Sequence, residues 1–119
     1  MIQENKINFI EYKYFICYHH LVIELNSKQR KKLEKLAHNL EPLVIVGGAG
    51  LTEGVEKKVL DCLNAHELVK VKFNEFQEEK QNFSNQIAKD IDATLVRIIG
   101  NVAIFYRQSD IEEKRHINV

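Results

Sequence analysis

A run of β-branched residues stops abruptly at glycine in Val44-Ile45-Val46-Gly47-Gly48-Ala49-Gly50-Leu51-Thr52-Glu53-Gly54-Val55. The pattern predicts a strand, a tight loop and then a helix. Three of the chain's five glycines, Gly47, Gly48 and Gly50, fall in this loop. Glycine turns the chain through positive φ and removes the Cβ atoms that would hold a ligand away. Thr52 is placed to cap the helix that follows. Small side chains, free amides and the positive end of a helix dipole together suit a phosphate or a nucleic-acid backbone. A strand-to-helix turn also uses glycine for geometry alone, so the loop needs its flanks to decide its role. Two nucleotide-binding motifs are excluded. A P-loop requires Gly-Lys-Ser/Thr, whereas Gly50 is followed by Leu51-Thr52. A dinucleotide fingerprint begun at Gly48 requires glycine where Glu53 stands.

A chain of 119 residues is expected to form one domain with an ordinary core. Lys plus Arg and Asp plus Glu balance at 17 each, so net charge gives no direction about partners. Cys17 and Cys62 have no metal-ligand spacing and fit a reducing compartment. No apolar run approaches the ~20 residues of a membrane span. Lys13, His19 and His20 interrupt the apolar residues near the N-terminus, unlike a signal peptide. A cytoplasmic protein with no membrane partner is expected.

Residues 1–24 differ in character from the rest. The segment from Phe9 to His20 is aromatic-rich, holds three of the four tyrosines and follows neither a strand nor a helix period. Four readings stay open for this N-terminal extension: an extra strand, a partner-binding arm, a disordered tail, or a mis-assigned start with the true one near Val22 or Ile23. An intact mass matching all 119 residues excludes the last.

From Leu25 the signals are orderly. A helix capped by Asn26 or Ser27 runs to about Asn39, with Leu33, Leu36, Ala37 and Leu40 as its buried stripe. Lys28, Lys31, Lys35 and His38 recur on another face, and Arg30 and Lys32 add charge. Between positions 26 and 40, five Lys/Arg stand against one acidic residue, Glu34. A basic run is usually a solvated face, but this one is lopsided and lies one short connection before the glycine loop. Pro42 breaks the chain. Positions 43–46 read as a continuously apolar strand buried on both faces. A second helix over 53–65 turns Val55, Val59, Cys62 and Leu63 inward and Glu56, Lys57 and Asp61 to water, with Lys57 and Lys58 just past the loop. Positions 67–73 alternate, Val69, Val71 and Phe73 one way, Lys70 and Lys72 on a wet basic face. A third helix over 77–90 buries Phe83, Ile87 and Ile91 in an acidic region. Two strands over 94–99 and 102–106, carrying Arg97 and leading to Arg107, are joined by a Gly100-Asn101 hairpin. The tail over 109–119 is of mixed charge and is expected to fray. The order α-β-α-β-α-β-β gives an α/β fold: a single compact domain with a mixed four-stranded sheet packed by helices.

Several blocks, in order, resemble the YhbY/CRM domain. They are Leu25-Asn26-Ser27-Lys28-Gln29-Arg30, Leu36-Ala37-His38, the stretch from Pro42 to Val55, His66-Glu67-Leu68-Val69-Lys70-Val71-Lys72, Arg97-Ile98-Ile99-Gly100 and Phe105-Tyr106-Arg107. The likeness covers about residues 25–108, leaving 1–24 without a counterpart and 109–119 as a tail. It implies a compact RNA-binding module similar in architecture to the C-terminal domain of bacterial translation initiation factor three. Stand-alone bacterial members associate with precursors of the large ribosomal subunit, and plant relatives embedded in longer chains assist intron splicing. A single short domain resembles the bacterial type. The family's G-x-x-G loop maps onto Gly47-Gly48-Ala49-Gly50. Members often carry a polar or basic residue between the glycines, whereas Gly48-Ala49 offers only backbone amides and close approach. Charge must therefore come from nearby Lys and Arg.

An RNA-binding protein follows, expected to act as a monomer on rRNA in large-subunit precursors as a ribosome-assembly factor. Gly47, Gly48, Ala49 and Gly50 admit an RNA backbone, much as a KH domain's G-x-x-G clamps nucleotides. Lys28, Arg30, Lys31, Lys32 and Lys35 neutralise phosphates, with Lys57 and Lys58 assisting. Such contacts position RNA without reading its sequence, so binding should follow shape and fall with salt. Gly47→Asp or Gly50→Asp should weaken it in a folded domain. No enzyme activity, cofactor or metal is expected. His38 lies at the end of the first helix, His66 suits the second helix's C-terminal dipole, and no metal spacing, Ser-His-Asp or Cys-His set can be assembled. The rival readings are a module or chaperone acting on another structured RNA, and a protein-interaction adaptor using the aromatic arm.

Overall fold

Asn26 opens the first helix through a reciprocal cap. Its side chain accepts from the Gln29 amide at 2.8 Å, and Gln29 Oε1 accepts from the Asn26 amide at 2.9 Å. Helix α1 spans Ser27–Ala37 in the computed structural model, which describes residues 24–119. The readings for residues 1–23, Cys17 among them, lie outside the described residues. α1 stops earlier than expected. Lys70 reaches its C-terminal end and donates to the carbonyls of His38 at 3.4 Å and Leu40 at 3.0 Å. A cation there satisfies carbonyls that have no helical partner.

The remaining elements follow the expected order: β1 Val44–Val46, α2 Glu53–His66, β2 Leu68–Phe73, α3 Lys80–Asp90, β3 Thr94–Ile99 and β4 Val102–Tyr106. A 3₁₀ turn, Gln77–Glu79, precedes α3 where one continuous helix was expected. The four strands lie in the order β1-β2-β4-β3, with β1 parallel to β2 and the other pairs antiparallel. The mixed sheet is therefore as the sequence predicted.

Alternation along β2 and β4 divides the core. Val69, Val71, Phe73, Ala103 and Phe105 face α2 and α3, meeting Val59, Leu60, Leu63, Ile87 and Ile91. Leu68, Ile104 and Tyr106 face the other way and meet Leu33 and Ala37 of α1. Among the described residues, one helix thus covers one face and two cover the other.

Four burial expectations are corrected. Leu36 and Leu40 are exposed, because only Leu33 and Ala37 of the expected stripe reach the sheet. With Leu43, Leu68 and Ile117 they line a groove of about 640 Å³ between α1, the start of β2 and the C-terminal segment. β1 is not buried on both faces: it is an edge strand, and Ile45 points into solvent beyond the end of α1. Glu56, expected in water, is buried. The Lys face of β2 is only partly wet, since Leu68 lies under α1 and Lys70 is half-buried, leaving Lys72 open.

The last correction concerns the C-terminal stretch. Glu67 caps α2 in the left-handed region at φ 64° and is buried. Its carboxylate accepts from the amides of Ser109 at 2.6 Å, His116 at 2.9 Å and Ile117 at 3.3 Å. Ile117 and Val119 then pack with Leu25 on the core under α1. The stretch expected to fray is tied down. Beside it, the buried Tyr106 hydroxyl has no hydrogen-bond partner among the described residues. Burial, and next the Glu67 charge, push this phenol up to about 12, against the opposing pull of Arg115.

Candidate nucleic-acid interface

The glycine loop closes as a hydrogen-bonded turn. Gly50 N donates to Gly47 O at 3.0 Å, which places Gly48 and Ala49, both exposed, at the tip. Their amides make no hydrogen bond among the described residues. Only Gly50 is required by the fold. Its φ is +74°, and an added Cβ would lie 3.4 Å from the Phe76 ring. Gly47 and Gly48 have ordinary φ and open space around a built Cβ. Bare backbone at those two positions therefore serves nothing inside the domain.

Thr52 caps α2 as expected, accepting from the Val55 amide at 3.1 Å. The helix end is less positive than the sequence suggested. Glu53 and Glu56 stand in its first turn and offset the dipole. The α2 N-terminus is thus a weak source of positive potential beside the loop. Among the described residues, no group of three or more His, Cys, Asp or Glu is arranged to hold a metal ion. No described helix is long and apolar enough to cross a membrane.

The basic residues divide into three sets. Lys28, Lys31 and Lys35 are exposed along one side of α1 and make no ion pair among the described residues. Lys57 and Lys58 are exposed on α2, just after the loop. Arg30 and Lys32 are engaged inside the domain. Arg30 Nη1 donates to the carbonyls of Leu95 at 2.9 Å and Val96 at 2.8 Å, where β3 bulges between Leu95 and Arg97. A bulge leaves carbonyls without ladder partners, and Arg30 satisfies them. Lys32 Nζ donates to the Asn118 carbonyl of the C-terminal segment.

α1 and α2 lie on opposite faces of the sheet, so their lysines do not form one patch. The glycine loop sits where those faces meet, at the end of edge strand β1. A ligand touching both lysine sets crosses that edge. Lys72 and Arg97, two cations on strands, lie outside the residues expected from the sequence to meet RNA. Both are exposed on the α1 face, Arg97 3.3 Å from Glu34.

A family model described as the CRS1 / YhbY (CRM) domain matches residues 25–107. The chain belongs to this family. A Haemophilus influenzae relative named RNA-binding protein is 44% identical over 87 residues, covering 72% of this chain and 88% of that protein. The Bacillus subtilis protein named probable RNA-binding protein YqeI is 33% identical over 86 residues, covering 71% of this chain and 90% of its own. The solution structure of the hypothetical protein SAV1595 from Staphylococcus aureus matches with a TM-score of 0.66 at 30% identity, over 80% of this chain and all of that one. The resemblance read from the sequence blocks is thereby borne out. In this CRM domain the G-x-x-G turn, its edge position and the free lysines of α1 stand together on one frame.

Proposed function

We propose that this CRM domain binds RNA in the cytoplasm, and that the RNA is rRNA of large-subunit precursors, where the protein acts as an assembly factor. One observation carries the RNA reading. The loop tip exposes the amides of Gly48 and Ala49, unpaired among the described residues, beside the bare backbone of Gly47 and Gly48 that the fold does not need, with exposed lysines on either side of its edge. The relatives' names support it, and the ribosomal target is supported by the likeness to the stand-alone bacterial type. Lys28, Lys31, Lys35, Lys57 and Lys58 neutralise phosphates. The tip amides of Gly48 and Ala49 meet a phosphate oxygen at close range.

Gly48→Asp tests the loop. A Cβ is accommodated there, so the domain stays folded, while the carboxylate repels phosphate and blocks approach. RNA affinity is expected to fall about tenfold or more, corresponding to at least ~1.4 kcal/mol, with the melting temperature little changed. Equal affinity in the folded variant removes the loop from the mechanism. Gly50→Asp, proposed from the sequence as equivalent, is unsuitable because its positive φ and the Phe76 contact make it a folding mutation.

The target is tested by sedimenting lysate through a gradient and probing each fraction for the protein. Co-migration with large-subunit precursors, lost at high salt, is expected. Protein confined to the top of the gradient at low salt overturns the ribosomal assignment and leaves another structured RNA as the ligand.

A further inference from the structure

α1 covers only part of its face of the sheet. Beyond it, the strand register aligns one residue from every strand: Ile45 beside Lys72, Lys72 beside Val102, and Val102 beside Ile99. Side chains alternate along a strand, so this row shares the face that carries Ile104 and Leu68 under α1. Ile45 and Ile99 are 52% and 54% exposed, Val102 is half-buried, and Lys72 is exposed. In the adjacent row Arg97, opposite Ile104, is 61% exposed. The row ends at β1, which runs through Val46 directly into Gly47.

Singly exposed apolar residues are ordinary, but Ile45, Val102 and Ile99 are aligned in one row across the sheet, an apolar strip that suits a contact. The occupant must also suit Lys72 in the middle of the row. An apolar protein face would strip water from that ammonium without replacing its partner. RNA brings a phosphate to it. A duplex keeps its bases stacked inward and presents phosphates and 2′-hydroxyls, which gain nothing from isoleucine. Unpaired nucleotides expose base faces and ribose carbons between phosphates, and these match an aliphatic row interrupted by cations.

We propose that the open end of this sheet face, Ile45, Lys72, Val102 and Ile99 with Arg97 beside them, binds unpaired RNA whose backbone continues into the glycine loop. The proposal rests on the RNA-binding reading above and adds to it the form of the RNA: an unpaired loop, bulge or end. Aliphatic contact carries no hydrogen-bond code, so the surface selects for strandedness and not for base sequence.

The test compares the full chain with an Ile45→Ser/Ile99→Ser variant by fluorescence anisotropy, at two salt concentrations. The probes are a short mixed-sequence RNA and the same strand annealed to its complement. The wild type is expected to prefer the unpaired strand. The variant should lose about tenfold on that strand, with duplex affinity and salt slope unchanged because no phosphate contact is removed. Should the serine pair disturb folding, Ile45→Thr/Ile99→Thr keeps the β-branched shape and is read the same way. Unchanged affinity of a folded variant for the unpaired strand overturns the proposal, as does a wild type that binds both forms equally. A wild-type dimer that the variant abolishes while RNA affinity is kept makes this face a self-interface, and also overturns it. A wild type that binds neither RNA overturns the RNA-binding reading, and this proposal with it.

Discussion

Glu67→Ala is expected to lower stability by about 3–5 kcal/mol, as much as truncating a large core side chain. The carboxylate is buried and accepts three backbone amides from residues 109–117. Truncation removes all of these charge-assisted bonds at once and leaves the buried Ser109 amide without its acceptor. The C-terminal segment then detaches, and Ile117 and Val119 leave the core under α1. For a domain of this size the melting temperature should fall by roughly 15–25 °C. Glu67→Gln should cost about half as much. It keeps shape and one acceptor oxygen, but its NH₂ must face one of the donating amides. Hydrogen exchange gives the local readout: the amides of Ser109, His116 and Ile117 lose protection first. A Glu67→Ala protein that melts like wild type, with those amides protected, refutes the clamp.

The second large effect is on binding. Lys28→Glu/Lys31→Glu/Lys35→Glu is expected to weaken RNA about a hundredfold at moderate salt and to flatten the logarithmic salt dependence by about 2, the contribution of three phosphate contacts. The three side chains are exposed on α1 and bonded to nothing among the described residues, so the fold should hold. Electrostatics within the helix nearly cancel: glutamate is favoured in the first turn at 28 and disfavoured in the last at 35. Arg30→Ala is the informative contrast. It abandons the Leu95 and Val96 carbonyls and should lower stability while leaving the salt slope nearly intact. If Arg30→Ala flattens the slope as much as the triple reversal does, the division between free and engaged cations is wrong.

That division explains what the sequence could and could not show. The strand, loop and helix around Gly47 were legible because each signal is local: a β-branched run, clustered glycines and a threonine cap. The Gly100-Asn101 hairpin was legible for the same reason, and the closing strands have the predicted limits. The family blocks added the fold itself. What escaped depends on residues distant in sequence. Arg30 looked like any other cation of its helix until the bulge at Leu95 and Arg97 supplied it with carbonyls more than sixty positions away. Ile45 looked buried because an apolar triplet cannot reveal that its strand will lie at the sheet edge. The C-terminal stretch looked loose because its anchor, Glu67, reads as an ordinary helix-end residue. For the glycines, spacing gave the loop, but only the backbone geometry separated Gly50, which the fold needs, from Gly47 and Gly48, which it does not.

In the proposed complex, RNA lies across the β1 edge, against the glycine loop and the free lysines of α1. The most direct measurement is ultraviolet crosslinking of the full chain to bound RNA, with the modified peptides identified by mass spectrometry. Adducts are expected on peptides carrying Lys28 to Lys35 and on the peptide from Leu36 to Lys57 that contains the loop. Adducts confined to the acidic stretch from Glu75 to Asp92, with none at the loop or α1, would contradict it.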